Sequence, residues 1–296
     1  AALGGAMTGR GLMLGLCRDE GLDPAQIFTG EGHAPPMLSA DELQAGRAPD
    51  ADEAMDLPDW LLPFWRSALG PDAQAVALAM RDRAPVWLRV NSGRTDPARA
   101  MAALAQEGIE AQPHPDLPGA LRVTAGARKL AGAQAYRDGL VELQDLSPQL
   151  ACAALPAQGS LLDFCAGGGG KALALAARGA SPVVAHDIDP GRMADLPTRA
   201  ARAGVRIRIA PPGKVSGRFD LVVADVPCSG SGTWRRTPDA KWRLTEADLH
   251  RLQGLQTRIL DQVAGFVAPG GHLAYMTCSV LDAENRDQIT AFLDRS

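Results

Sequence analysis

From Gln149 onward the chain alternates short apolar runs with longer stretches of helical period, the pattern of a parallel sheet covered on both faces. Strands are expected at Leu161 to Cys165, Pro182 to Asp187, Val205 to Ile209, Phe219 to Asp225 and His272 to Cys278. The clearest helix spans Thr245 to Val267. Thr245 and Asp248 give it a capping-box start, Leu249, Leu252, Leu255, Ile259, Val263 and Phe266 supply its apolar stripe, and Pro269-Gly-Gly271 stops it. Earlier in the chain, a strand at Val86 to Val90, a helix at Pro97 to Glu107 and strands at Ile109 to Gln112 and Ala120 to Thr124 make a βαββ order.

The expected fold is therefore α/β: a doubly wound, mostly parallel, Rossmann-like sheet over residues 151–296, preceded by a small α+β module over residues 57–150. Residues 1–56 are rich in Gly, Pro and Asp and read as a helical or linker remnant of a further N-terminal domain, with Ala48 to Glu53 as solvated linker. The chain opens at Ala1 within a helix-like apolar pattern, which reads as a fragment or a processed form.

Composition narrows the class. A chain of 296 residues that is 46% hydrophobic can bury a substantial core. Its apolar runs fall far short of the ~20 residues that a membrane helix needs, so no membrane partner is expected and the compartment reads as cytoplasmic, the protein as a monomer. The run Gly11 to Leu16 is too short and glycine-broken for a signal core. Five cysteines without a CxxC pair argue against a disulfide framework and against a metal site. The net charge of -4 hides an asymmetry: residues 1–56 carry three basic and ten acidic side chains, which leaves the rest at 27 against 24. That balance permits a nucleic-acid partner without demanding one.

The first strand of the parallel sheet runs into Asp163-Phe-Cys-Ala-Gly-Gly-Gly-Gly-Lys171 and then a helix. Glycines between a strand and a helix N-terminus let the backbone approach an anionic ligand closely. Asp187 ends the next strand, where a carboxylate can accept two ribose hydroxyls, which points to an adenosine-type cofactor. Gly167-x-Gly169-x-x-Ala172 also fits a dinucleotide fingerprint, so a nicotinamide (NAD) dehydrogenase stays open, as does a loop that merely packs strand on helix. Asp163 reads as a residue that orients the loop.

Two further strand ends carry thiols, Asp225-Val-Pro-Cys228-Ser and Thr277-Cys278-Ser279. All these segments belong at the carboxyl edge of the sheet, where open parallel sheets bind ligands. A thiolate there can add reversibly to carbon 6 of a cytosine ring, which turns carbon 5 into a nucleophile. Ordinary cysteine has a pKa of about 8.5, so such a thiol needs a polarised site. Lys171 is a nearby cation, and Asp225 can hydrogen-bond ring nitrogen 3 as charge builds up there. Cys17, Cys152 and Cys165 read as small buried hydrophobes. The stretch Trp234 to Arg243 interleaves aromatic and basic residues, which suits either RNA contact or a packed loop with solvated charges. Arg81, Arg83, Arg89, Arg94 and Arg99 form either a basic face or ordinary surface charge.

These motifs resemble those of the Sun/Fmu-type RNA cytosine-5 methyltransferases. The matching residues are Asp163-x-Cys-Ala-x-x-Gly-Gly-Lys171, Asp225-x-Pro-Cys-Ser-Gly-x-Gly232, Lys241-Trp242, and Thr277-Cys-Ser279 with Glu284-Asn285. Leu88-Arg-Val-Asn91 and Gln144-Asp145-x-Ser147-Pro-Gln149 extend the likeness back toward Leu57. The resemblance implies S-adenosylmethionine as cofactor and RNA as partner, ribosomal RNA before transfer RNA. It implies Cys278 as nucleophile and Cys228 as promoter of product release. Cys165, Ala166, Gly167, Gly168, Gly169, Gly170, Lys171, Asp187 and Asp225 would line the cofactor site, and the α+β module would be RNA-recognition-like.

Four departures bear on the cofactor and the sheet. Gly167-Gly168 stand where the family usually has Ala-Pro, and Ala210-Pro-Pro-Gly213 follows the third strand where an aspartate is expected. Pro197 interrupts the helix after Asp187, and the two strands that usually close this sheet do not occur before Ser296. The weakened cofactor site keeps a non-catalytic RNA-binding protein as a further alternative.

Overall fold

The computed structural model describes residues 1–295, which form two compact units: Ala1–Asp82 with Pro238–Arg243, and Arg83–Thr237 with the residues from Leu244 on. The first unit is helical, built from α1 (Gly9–Asp19), α2 (Ala40–Gln44), α3 (Ala51–Ala54), α4 (Leu62–Leu69) and α5 (Ala73–Ala79). Thr8 starts α1 by accepting the Gly11 amide at 3.1 Å. Leu14 and Cys17, one turn apart on its inner face, pack with Phe28.

The expected solvated linker is exposed and folds as a capped helical turn. Asp50 accepts the amides of Asp52 and Glu53, Glu53 reaches back to the Asp50 amide, and Glu53 also pairs with Arg47 at 2.6 Å. The acidic residues that suggested solvation are thus the two halves of a capping box. By its internal contacts the first compact unit runs on to Asp82.

The second unit holds two sheets. β1 (Val86–Val90), α6 (Pro97–Gln106), β2 (Glu110–His114), β3 (Leu117–Ala125), α7 (Gln134–Arg137) and β4 (Val141–Leu143) form an antiparallel sheet of order β2-β3-β1-β4. Leu88, Val90, Leu104, Ile109 and Leu121 make its core against α6. β4 is short and carries Glu142, so periodicity gave no sign of it. Buried Glu142 is neutralised by Arg202 at 2.8 Å and Arg199 at 3.3 Å.

After α8 (Leu146–Ala154) come β5 (Leu161–Asp163), α9 (Gly170–Ala177), β6 (Val183–His186), α10 (Leu196–Ala203), β7 (Arg208–Ala210) and β8 (Phe219–Asp225). They are followed by α11 (Ala240–Arg243), which belongs to the first unit, α12 (Glu246–Ala264), β9 (Val267–Met276) and α13 (Arg286–Arg295). The five strands are all parallel, in the order β7-β6-β5-β8-β9. The order reverses between β5 and β8, which is where a doubly wound sheet opens a ligand crevice at its carboxyl edge.

Two boundaries differ from expectation. β7 begins at Arg208, since Gly204 ends α10 and only Arg208 to Ala210 pair with β6. Pro269-Gly-Gly271 does not stop α12; Gly265 does, and the Pro-Gly-Gly segment lies inside β9 as an irregularity in its pairing with β8. Gly271 is needed there, because a Cβ would lie 2.9–3.0 Å from the carbonyl oxygens of Asp220, Ala268 and Phe219. No helix among the described residues is long and apolar enough to cross a membrane.

Candidate active site

The loop from Cys165 to Lys171 leaves β5 and enters α9 with its backbone held at several points. The Ala166 amide donates to the His186 carbonyl at 2.9 Å, and the Gly169 amide to the Ala166 carbonyl at 2.8 Å. The Gly168 carbonyl accepts from Arg199, and the Gly170 carbonyl accepts from Arg89 at 2.8 Å. Asp163, at the end of β5, accepts the Ala172 amide at 3.0 Å and so fixes the start of α9, the orienting role expected of it. Its other oxygen is buried without a partner among the described residues, and burial pushes its carboxyl up to about 7.

Asp187 sits beside this loop but is only 1% exposed. One oxygen accepts the Gly167 amide at 2.9 Å, the other the Asp189 amide at 3.0 Å, and Arg192 lies 3.2 Å away. The carboxylate expected to face two ribose hydroxyls is thus already engaged in holding the loop. Arg192 pairs with Asp187, and Ile188, the next residue in the chain, is 79% exposed. Sequence reading singled out neither, although Arg192 follows Asp187 by five residues and a large exposed apolar residue next to a strand-end acid is a readable signal.

Lys171, in the first turn of α9, and Asp225, at the carboxyl end of β8, form a direct ion pair. Burial works against the Lys171 charge, but the Asp225 charge and hydrogen bond outweigh it, so the lysine pKa lies above its ordinary value. Three residues past Asp225, Cys228 Sγ lies 3.3 Å from Cys278 Sγ. The two sulfurs share a proton unequally. The hydrogen bond from Cys228 draws the Cys278 thiol down to about 7, against burial and the Asp225 charge and with help from Lys171. The same bond, then burial, pushes Cys228 up. Cys278 is the exposed member of the pair and Cys228 the half-buried one.

The remaining cysteines behave as small apolar groups. Cys17 and Cys152 are buried, and burial pushes Cys152 up to about 11. Cys165, half-buried in the loop, is pushed up to about 12 by burial and then by Asp163, Asp187 and Asp225.

The aromatic and basic stretch divides. Trp234 is buried, and Arg236 forms a two-pronged pair with Asp145 at 2.6 and 2.9 Å. Lys241 is buried within the first unit against Asp56. Trp242 and Arg243 are exposed, with Arg243 paired to Asp239 at 2.7 Å, and Arg236 stays exposed despite its pair with Asp145. The five arginines between Arg81 and Arg99 do not make one basic face either. Arg81 pairs with Asp19 in the first unit. Arg89 is half-buried in the second, where desolvation lowers its pKa to about 10 and its guanidinium bonds Gln144 and Gly170.

A five-stranded doubly wound parallel sheet with a glycine loop after its first strand, preceded by an α+β antiparallel sheet, defines a class I methyltransferase fold behind a ferredoxin-like domain. Residues 152–296 match the family described as 16S rRNA methyltransferase RsmB/F, and residues 57–128 match its RsmF/B-like ferredoxin-like domain. The chain belongs to this RsmB/F family.

Among curated relatives, ribosomal RNA small subunit methyltransferase B of Salmonella typhi is 37% identical over 250 residues, covering 81% of this chain and 58% of that protein. The chain thus spans little more than half the length of the curated relatives it matches. A methyltransferase homolog protein from Pyrococcus horikoshii is 25% identical, with a TM-score of 0.71, over 84% of this chain and 83% of that one. NSun6 from the same organism shares the fold, at 14% identity and a TM-score of 0.70, over 80% of this chain and 87% of that one.

Proposed function

We propose that the chain methylates carbon 5 of a cytosine in RNA, ribosomal RNA first, with S-adenosylmethionine as donor. The observation that carries this reading is the 3.3 Å approach of the Cys228 and Cys278 sulfurs beside the Lys171–Asp225 pair. The curated relatives, named as ribosomal RNA methyltransferases, supply the choice of RNA.

The crevice fits the donor at the glycine loop. The N-terminus of α9 favours a carboxylate, and the unpartnered buried oxygen of Asp163 suits an ammonium group. Asp187 and Ile188 would hold the ribose and adenine side, with Arg192 giving way at Asp187. The segment Ala210 to Gly213 offers that side no carboxylate. When bound, the donor supplies a methyl group on a positively charged sulfur.

Cys278 Sγ donates an electron pair to carbon 6, and the C5=C6 π pair moves onto carbon 5, which takes the methyl group. A proton relayed from the Lys171 ammonium through Asp225 to ring nitrogen 3 neutralises the charge that develops there and returns to Lys171 at the end. The carbon-5 proton then leaves to a base, the double bond re-forms, and the C6–S pair goes back to Cys278. Cys228, beside the departing sulfur, takes part in that release.

The test is to incubate cysteine variants with the small-subunit RNA and S-adenosylmethionine and run denaturing gels. Cys228→Ser should accumulate a covalent protein–RNA adduct, and Cys278→Ser should form none. The reverse pattern swaps the two roles. Absence of any adduct, together with no 5-methylcytosine from the unmodified protein and no donor binding at millimolar concentration, would leave a non-catalytic RNA-binding protein.

A further inference from the structure

Glu284 is fully buried, and no step of the reaction uses it. It lies in the turn after Cys278 and is held from α12 by Gln256, whose Nε2 donates to Glu284 Oε1 at 2.9 Å and to the Pro227 carbonyl at 3.0 Å. Its two oxygens take both donors of Ser229, the amide at 2.8 Å and the hydroxyl at 2.5 Å. Ser229 follows Cys228, and its hydroxyl lies 3.3 Å from that of Ser279, which follows Cys278. The Ser279 hydroxyl also meets Ser231 at 2.9 Å. A carboxylate is costly to bury, so its use here calls for a reason: its two oxygens accept three donors, from Gln256 and from the amide and hydroxyl of Ser229, and an amide would turn a donor of its own toward one of them.

We propose that Glu284 is a positioning residue of the two-thiol site, tying the Cys228 loop to the Cys278 loop so that the Cys228 thiol donates its hydrogen bond to the Cys278 sulfur. This rests on the reading above only in treating Cys278 as the attacking thiol. Three other titratable groups act on the pair. Lys171 favours the Cys278 thiolate and Asp225 opposes it. Tyr275, whose hydroxyl donates to the Glu284 carbonyl at 2.7 Å, is held protonated by burial and the Glu284 charge.

Two effects of removing Glu284 have opposite signs. Loss of its negative charge alone makes both thiols easier to ionise. Loss of the tether removes the donor on Cys278 and makes that thiol harder to ionise. Alkylation of Cys278 by iodoacetamide across pH 5 to 10, read by mass spectrometry on the full chain without RNA or donor, separates them.

The unmodified protein should show a midpoint near 7. Glu284→Gln should move it toward the ordinary value of about 8.5, with alkylation at neutral pH slowed roughly tenfold. Ser229→Ala, which keeps the carboxylate and removes the bridging hydroxyl, should shift it the same way by less, and decides the matter if Glu284→Gln does not fold. A midpoint unchanged or lowered in the folded variant overturns the proposal. Since neither RNA nor donor is present, that result is distinct from a failure of methylation.

Discussion

Asp187 Oδ2 accepts the Gly167 amide at 2.9 Å, which fastens the end of β6 to the loop that follows β5. Because Asp187 is buried and also takes the Asp189 amide, Asp187→Ala strands the buried Gly167 amide and frees that of the exposed Asp189. Leaving a buried donor unmet costs about 1–3 kcal/mol. The variant should unfold at lower temperature and bind S-adenosylmethionine at least about tenfold more weakly, since 1.4 kcal/mol of lost loop order is a tenfold change. Calorimetry with the donor checks this. An unchanged dissociation constant would mean that the loop is ordered without Asp187.

Gly169 and Gly167 make a paired test of the loop. Both have left-handed backbones, with φ of 75° and 50°. A Cβ on Gly169 would lie 2.3 Å from Cδ1 of Leu196, a side chain buried in the α9–α10 contact that cannot withdraw. A Cβ on Gly167 would meet Arg192 Nη2 at 3.2 Å, and that half-exposed arginine can move. Gly169→Ala is expected to cost about 2–4 kcal/mol from backbone strain and overpacking, and Gly167→Ala about 1 kcal/mol. Denaturant unfolding of the two variants gives the comparison.

The features legible in the sequence are those that depend on period and on strand ends. The five parallel strands, α6, the capping box of α12, the glycine loop and the two thiols all follow from alternation, Gly placement and residues just past apolar runs. What escaped depends on partners distant in the chain. β4 carries a buried glutamate that looks wrong for a strand until Arg199 and Arg202 neutralise it. The acidic run at Asp50 to Glu53 is as exposed as it looks, but its composition hides the capping box that orders it. Glu284 is legible as part of the motif that runs from Thr277 to Asn285, but nothing near it in the chain shows that it is buried, which the approach of Ser229 and Gln256 explains. Lys241 misled in the same way, since a lysine beside tryptophan gives no hint that Asp56, 185 residues earlier, will bury it.

Lys241 and Trp242 should therefore separate stability from RNA contact. Asp56 adopts φ of 54°, a conformation that Asn tolerates, so Asp56→Asn removes the charge with little backbone cost. The buried Lys241 ammonium would lose its anion, and because Asp56 is half exposed the cost is nearer about 1–2 kcal/mol than that of a fully buried pair. Trp242→Ala, at a 56% exposed side chain, should leave stability within about 0.5 kcal/mol and reduce RNA affinity. Thermal melts and filter binding on both variants check the division. Weakened RNA binding by Asp56→Asn at unchanged stability would reverse it.

Asp163 gives a pH dependence whose sign can be worked out. Its carboxyl titrates near 7 in the folded chain because burial disfavours the charged form, and near 3.8 when free. A raised folded value means that its contribution to stability is fully present below the unfolded value and is lost as pH climbs toward 7. Three units correspond to roughly 4 kcal/mol. Asp163→Asn keeps an acceptor for the Ala172 amide and does not titrate, so it should lose that slope. The difference in melting temperature, variant minus unmodified protein, should increase steadily from pH 4 to pH 7 and then level off. Saturating S-adenosylmethionine should reduce the rise, because an ammonium group beside the carboxylate favours its charged form. A difference that stays flat across this range would show that Asp163 is ionised in the folded chain at all these pH values, and that the burial of its second oxygen is relieved by solvent.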